Sequence, residues 1–494
     1  MHPRLAAPLV FLASGAVLVL EVVGMRLVAP YVGVTLQTNS SVIGVALAAI
    51  ALGAWLGGRT ADRVDPRRIL APVLLLGGGA TMLTVPVVRT VGPLVQGGDP
   101  GSVVLLAFLA QFVPAVLLAA VTPMVIKLQL RDVGRTGTIV GQLSGIGTLG
   151  AILATFATGF VLVAMLPSSA IVIGLGATLF AVGIGLWILL HGGPSQSATW
   201  PPITQALVGL VVVVACVTSP TPCQLETAYH CARVAADPAR PDTGRVLIFD
   251  TLAQSYLDVQ DPTHLDFAYV QAIASVTDVA WPAGEPISAL HVGAGGLTIP
   301  RYLAATRPGT QNRVLEIDPG ALRLSQSLVG SVPRTQAQVG DARIGLREQP
   351  AGSRDLVVGD AFGGLAVPWQ LTTKEAIENV RTILRWGGIY AVNVIDFPPN
   401  RFAAAEIATI RSVLPNVVLM AAPGAVDGRT GGNFVVAASA RPLPVPAIQD
   451  RLRARGTPFE LAQGSTVDRL TAGATVLTDD YAPVDQLLNP YGQR

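Results

Sequence analysis

Long unbroken apolar runs fill the first 219 residues, and short apolar or alternating runs separated by turn residues fill the rest. A helix that crosses a bilayer needs roughly 20 apolar residues. Seven stretches supply them, near 7–29, 39–58, 69–88, 102–126, 138–164, 168–190 and 203–219. Beyond 220 the period changes, and 245–249 and 254–260 read as strands of a small antiparallel sheet. An alternating series follows: strand 287–292, the glycine turn 293–296, helix 297–306, strand 313–318, helix 320–329, strands 335–339 and 355–359, helix 372–385 and strand 389–395. Such alternation predicts a mainly parallel sheet covered by helices. The runs 416–422 and 433–439, joined by a turn-rich segment, predict an antiparallel hairpin at the sheet edge.

Composition sharpens the division. The chain has 494 residues, 51% hydrophobic and 13% charged, which excludes one ordinary soluble domain. Residues 1–219 hold 10 basic and 5 acidic side chains, leaving 23 and 26 for the remainder. The expected fold is an N-terminal α-helical transmembrane bundle of about seven helices (1–219), a small antiparallel β lead-in (220–284) and an α/β Rossmann-like, methyltransferase-type domain (285–494). Neither half carries a basic stripe, which argues against nucleic acid as a partner. The five histidines and three cysteines lack metal-ligand spacing, so no metal is expected.

The first apolar run holds Glu21 and Arg26 and has no cleavage pattern, so it is expected to stay in the mature protein. The favoured role for this pair is structural, pairing with helix two or four; the other is a polar site in the bundle. Gly141, Gly145, Gly147 and Gly150 suit close helix packing. Arg59, Arg63, Arg67 and Arg68 in one loop, and Lys127, Arg131 and Arg135 in another, mark cytoplasmic loops. The N-terminus then lies inside, and an odd number of spans places 220 onward outside. There, Cys223 and Cys231 either staple the exit from the membrane or remain two thiols; Cys216 reads as a packing residue. The loop from Gly57 to Arg68 resembles the signature between the second and third helices of major facilitator transporters, which makes transport a lesser hypothesis.

The chemistry of the second half gathers at strand ends, where ligands bind such sheets. Gly293 and Gly295 allow a tight turn, and Glu316, 23 residues after Gly293, can accept both ribose hydroxyls. Thr298 stands where a dinucleotide fingerprint has its third glycine, so a nucleoside fits better than NAD. Asp341 could accept an adenine amino group, and Asp360 closes the fourth strand above the crevice. Each acid taken alone could instead be a helix N-cap.

The motifs His291-Val-Gly-Ala-Gly-Gly296, Val314-Leu-Glu-Ile-Asp318, Gly340-Asp-Ala-Arg343, Asp355-Leu-Val-Val-Gly-Asp360 and Thr478-Asp-Asp-Tyr-Ala-Pro-Val-Asp485 resemble the spermidine synthase family, in its membrane-fused branch. The resemblance implies that Gly293, Gly295 and Glu316 hold the nucleoside, Asp341 with Ala342 the adenine, and that Asp360 deprotonates the attacking amine. Gln254, Tyr269 and Gln271 would line the substrate groove. The implied donor is decarboxylated S-adenosylmethionine, the acceptor a small-molecule amine such as putrescine, and the remaining partners the lipid bilayer and a second copy in a homodimer. Two departures stand out: Gly296 replaces an Asp, and Tyr269-Val270-Gln271 replaces Tyr-His-Glu, removing two acids that would contact cationic amines. Three readings follow: an aminopropyltransferase, an S-adenosylmethionine-dependent methyltransferase, and a non-catalytic nucleoside-binding or transport-coupled membrane protein.

Overall fold

The computed structural model describes residues 3–95, 99–130, 133–191, 202–361 and 368–489; Arg131 of the cationic loop lies outside them. The chain divides into two compact units, Met1–Cys231 and Ala232–Arg494.

Among the described residues of the first unit, six helices are long and apolar enough to cross a membrane: Leu5–Val32, Leu36–Arg63, Pro66–Leu94, Pro100–Gln129, Thr136–Met165 and Ser168–Leu190. The seventh apolar run forms a shorter helix, Pro202–Thr218. Two of the few acids in this half cap helices. Asp65 accepts from the Arg67 amide ahead of a helix that opens on Pro66, and Asp99 accepts from the Gly101 and Ser102 amides. The fourth span breaks at Ala120 into two helices, and a π-helical turn, Thr158–Leu162, interrupts the fifth.

The glycine seam is narrower than its sequence suggests. A Cβ at Gly150 would lie 2.4 Å from the Phe11 carbonyl oxygen and one at Gly147 2.9 Å from Ser14 Oγ, whereas Gly141 and Gly145 have nothing within 4 Å. Gly150→Leu is therefore expected to destabilise the full chain by about 1–3 kcal/mol, while Gly145→Leu leaves it unchanged. Thermal unfolding in detergent separates the two, and equal effects would contradict this packing.

Arg26 corrects the expectation of a partner on helix two or four. Its guanidinium donates to Ser168 Oγ (3.2 Å) and to the carbonyls of Thr227 and Ala228, and it pairs with Glu226 at 3.6 Å. That partner segment lies some two hundred residues on, beyond the reach of any helical spacing rule. Cys223 and Cys231 form a disulfide with Cα atoms 5.1 Å apart, and Cys216 is buried.

The second unit follows a two-residue strand, β1 (Leu225–Glu226). Strands β2 (Cys231–Asp237), β3 (Arg240–Phe249) and β4 (Leu252–Asp258) pair antiparallel as a meander. The main sheet contains β5 (Ser288–Val292), β6 (Gln311–Glu316), β7 (Thr335–Val339), β8 (Arg354–Gly359), β9 (Leu384–Asp396), β10 (Asn416–Ala421), β11 (Gly432–Ser439) and β12 (Glu460–Ala462). Its order is β12-β10-β11-β9-β8-β5-β6-β7. Strands β5 to β9 are parallel, and β10, β11 and β12 join antiparallel.

The hairpin is not at the edge. β11 inserts beside β9, and the three-residue β12 covers β10. Burial on both faces explains the apolar strands: Leu356 and Val358 of β8 face the core shared with helix Ala268–Ala280, and Val357 faces the one shared with Lys374–Ile383 and Arg401–Val413. The chain reverses winding between β5 and β8, which opens a crevice at their carboxyl ends.

Candidate active site

Gly293 follows β5 and Asp360 follows β8, so adjacent parallel strands bring them together. Gly293 has φ +97°, and a Cβ there would lie 2.3 Å from the Asp360 carbonyl oxygen, so only glycine fits. The Asp360 amide donates to the Val292 carbonyl at 2.9 Å, locking the two strand ends.

The Asp360 side chain is half-buried and its carboxylate is held from both sides. Tyr269 Oη donates to Oδ2 at 3.0 Å, and Asn393 Nδ2 donates to Oδ1 at 3.0 Å. Burial pushes its pKa up to about 6, with the two hydrogen bonds opposing the shift. Tyr269, which is buried, is pushed well above its ordinary value, by burial first and by the Asp360 charge second, so it remains a neutral donor. Its hydroxyl also lies 3.4 Å from the Gln254 carbonyl, which brings Gln254 to the site through its backbone. Arg307 steadies the Tyr269 helix by donating to the carbonyls of Thr277, Trp281 and Pro282 at its far end.

Glu316 ties the glycine turn to the next loop. One oxygen accepts from the Ala294 amide (2.7 Å) and the other from the Asp318 amide (2.8 Å). Each carboxylate oxygen has a second lone pair, which suits a vicinal diol. Asp341 caps helix Ala342–Arg347 through the Arg343 amide, 2.7 Å, so the capping role holds for one of its oxygens. Arg343 in turn pairs with Asp479 at 2.6 Å, and Thr373 donates to the same carboxylate. The closing Thr478–Asp485 motif thus fastens this helix to the next.

Two expected residues behave differently. The Gln271 amide is engaged elsewhere: Nε2 donates to the Leu265 carbonyl (2.8 Å) and Oε1 accepts from Thr457 Oγ1 (2.9 Å). A Cβ at Gly296 would lie 2.8 Å from both Leu257 Cδ2 and Ser255 Oγ, so the lead-in strand β4 fills the place of a larger side chain. Sequence reasoning missed Asn393. Its signal was a lone polar residue within the apolar run 389–395, buried and aimed at an acid on the neighbouring strand. Among the described residues no group of His, Cys, Asp or Glu could hold a metal ion.

The sheet order and crevice define a Rossmann-like α/β domain with a half-buried acid at its switch point. No family model matches the chain. A curated polyamine aminopropyltransferase from Vibrio vulnificus is 28% identical over 220 residues, spanning 41% of this chain and 70% of the relative. A solved structure of a probable spermidine synthase from Corynebacterium glutamicum aligns at 28% identity with a TM-score of 0.48, covering 52% of this chain and 95% of that one. Spermidine synthase from Thermotoga maritima aligns at 15% identity and a TM-score of 0.36, covering 50% and 89%. Together with the motifs, the curated relative makes the C-terminal domain similar to the spermidine synthase family.

Proposed function

We propose that this protein transfers an aminopropyl group from decarboxylated S-adenosylmethionine to a diamine or related amine, with Asp360 as general base. The observation that carries this reading is the Asp360 carboxylate, half-buried at the switch point and oriented by Tyr269 and Asn393. A carboxylate with a pKa near 6 is a competent base at neutral pH and can still release its proton. In the reaction Asp360 takes a proton from the ammonium. The freed nitrogen lone pair attacks the carbon attached to sulfur, the C–S bond breaks, and its electron pair leaves with a neutral thioether nucleoside. Glu316 would orient the ribose, the second Asp341 oxygen the adenine amino group, and Gly293 and Gly295 would let the backbone approach.

Losing one bidentate charged contact costs about 1.5–3 kcal/mol. Glu316→Ala should therefore weaken binding of the thioether nucleoside roughly 10- to 150-fold in calorimetry, and unchanged binding would contradict the assignment. The transfer itself is tested by incubating the full chain with donor and putrescine: thioether nucleoside should appear only when both are present.

The filled space at Gly296 favours a second reading, in which the nucleoside pocket serves methyl transfer or binding without catalysis. In that case thioether release would be absent with every diamine, while nucleoside binding and its Glu316 dependence would remain.

The six long helices, with Pro202–Thr218 as a shorter seventh span, are proposed to cross the bilayer. Outward-facing Leu47, Trp55, Leu76 and Phe160 provide the apolar surface this needs. With Arg59, Arg63, Arg67, Arg68, Lys127 and Arg135 inside, the soluble domain lies outside. The Cys223–Cys231 disulfide supports an oxidising compartment. A C-terminal alkaline phosphatase fusion should be active, and an inactive fusion with a bright cytoplasmic reporter would reverse the orientation.

A further inference from the structure

We propose that the amino ends of β6, β7 and β8 carry a second site, in which Arg313, Arg334 and Arg354 bind a phosphate-type oxyanion. These strands are parallel and their carboxyl ends lead toward Glu316, Asp341 and Asp360, so this site sits at the opposite end of the sheet from the crevice. A groove of about 460 Å³ is lined by the three arginines with Asn312, Thr335 and Gln336.

The three positive charges are not neutralised locally. Among the described residues none of them joins an ion pair, although carboxylates are near. Asp355 goes to Arg385 at 2.6 Å and to the Ser288 amide at 2.8 Å, and Glu348 takes the Gln338 amide at 2.9 Å.

Neutral acceptors aim the guanidinium groups instead. Arg313 donates to Gln336 Oε1 (3.0 Å) and Gln338 Oε1 (2.7 Å), and Arg354 donates to Ser288 Oγ (3.1 Å) and Gln349 Oε1 (2.7 Å). Arg334 is exposed at the mouth. Burial, and after it the charges of Arg313 and Arg385, disfavour the Arg354 cation. Holding these charges together without a counter-ion costs stability that an oxyanion would recover. Guanidinium forks match phosphate oxygens, and the groove exceeds the size of inorganic phosphate, leaving room for the organic part of a phosphate ester. A soluble phosphate ester and a lipid headgroup share this chemistry.

The test is thermal unfolding of the full chain in detergent, with inorganic phosphate against chloride at equal ionic strength. Phosphate should raise the midpoint saturably by about 2–4 °C, and the rise should vanish in the Arg313→Gln/Arg354→Gln double variant. Arg334→Gln, at an exposed position, should leave the phosphate-free midpoint unchanged and weaken the response about tenfold. Asp360→Asn should keep the full response. A parallel series in phosphatidylglycerol and phosphatidylcholine nanodiscs identifies the source: a shift only with phosphatidylglycerol, lost in both arginine variants, assigns the site to a lipid headgroup. Absence of a shift with phosphate and with phosphatidylglycerol, or equal shifts in wild type and both arginine variants, would overturn the proposal.

Discussion

Asp360→Asn is expected to lower aminopropyl turnover by roughly 10²–10⁴ while leaving nucleoside affinity nearly intact, because only the proton acceptor is removed. The pH dependence supplies an internal check. The base works when ionised, so the wild-type rate should climb as pH rises through about 6 and level off above it. The residual rate of the variant should lack that step.

Stability should move the other way. The folded state holds the Asp360 proton more tightly than the unfolded state does, whose carboxyl stays near its ordinary value of 3.8. As pH rises from about 4 to 6, the folded protein therefore loses stability relative to the variant. At pH 7 Asp360→Asn should be the more stable protein by about 3 kcal/mol, and below pH 4 the difference should close. Unfolding midpoints at the two pH values measure this directly. A variant that loses stability at pH 7 would place the carboxylate in a structural role.

Gly293→Ala is expected to damage both fold and site. The added methyl group must occupy a left-handed backbone conformation and lie 2.3 Å from the carbonyl oxygen of Asp360, so either β5 or β8 must give way. Strain and overpacking together should cost about 2–5 kcal/mol. Displacing Asp360 by even 1 Å should lower turnover by about 10²-fold in the molecules that remain folded. Gly284, which also has positive φ but nothing within 4 Å of an added Cβ, is the control. Gly284→Ala should show only the backbone cost of about 1 kcal/mol and full activity. Comparing specific activity per folded molecule separates the contact from the conformation.

Much of this architecture is legible in the sequence because of where its strands lie. β5, β8 and β9 are buried on both faces over most of their length, so they stand out as apolar runs, and their ends fall within a few residues of expectation. Asp360 lies next to the glycine turn because the chain returns past β7 to pair β8 in parallel with β5.

What escaped depends on contacts between distant segments. β12 is three residues long and exists only because β10 offers an edge. Arg26 finds Glu226 across two hundred residues of chain. Gln271 sits two positions after Tyr269 on one helix, yet that spacing turns its amide away toward Thr457. Ser255 and Leu257 project from β4 into the space beside Gly296, and the sequence around Gly296 carries no trace of them.

The central claim is that Asp360 serves an alkyl transfer from an adenosyl sulfonium to an amine, and product identity tests it most directly. The full chain, purified in detergent, is given S-adenosylmethionine, its decarboxylated form and putrescine together, and the amine products are weighed by mass spectrometry. The expected product is putrescine enlarged by one aminopropyl group, formed from the decarboxylated donor alone and falling at least a hundredfold in Asp360→Asn. A methylated amine, or an aminopropyl product formed equally well by Asp360→Asn, would contradict it.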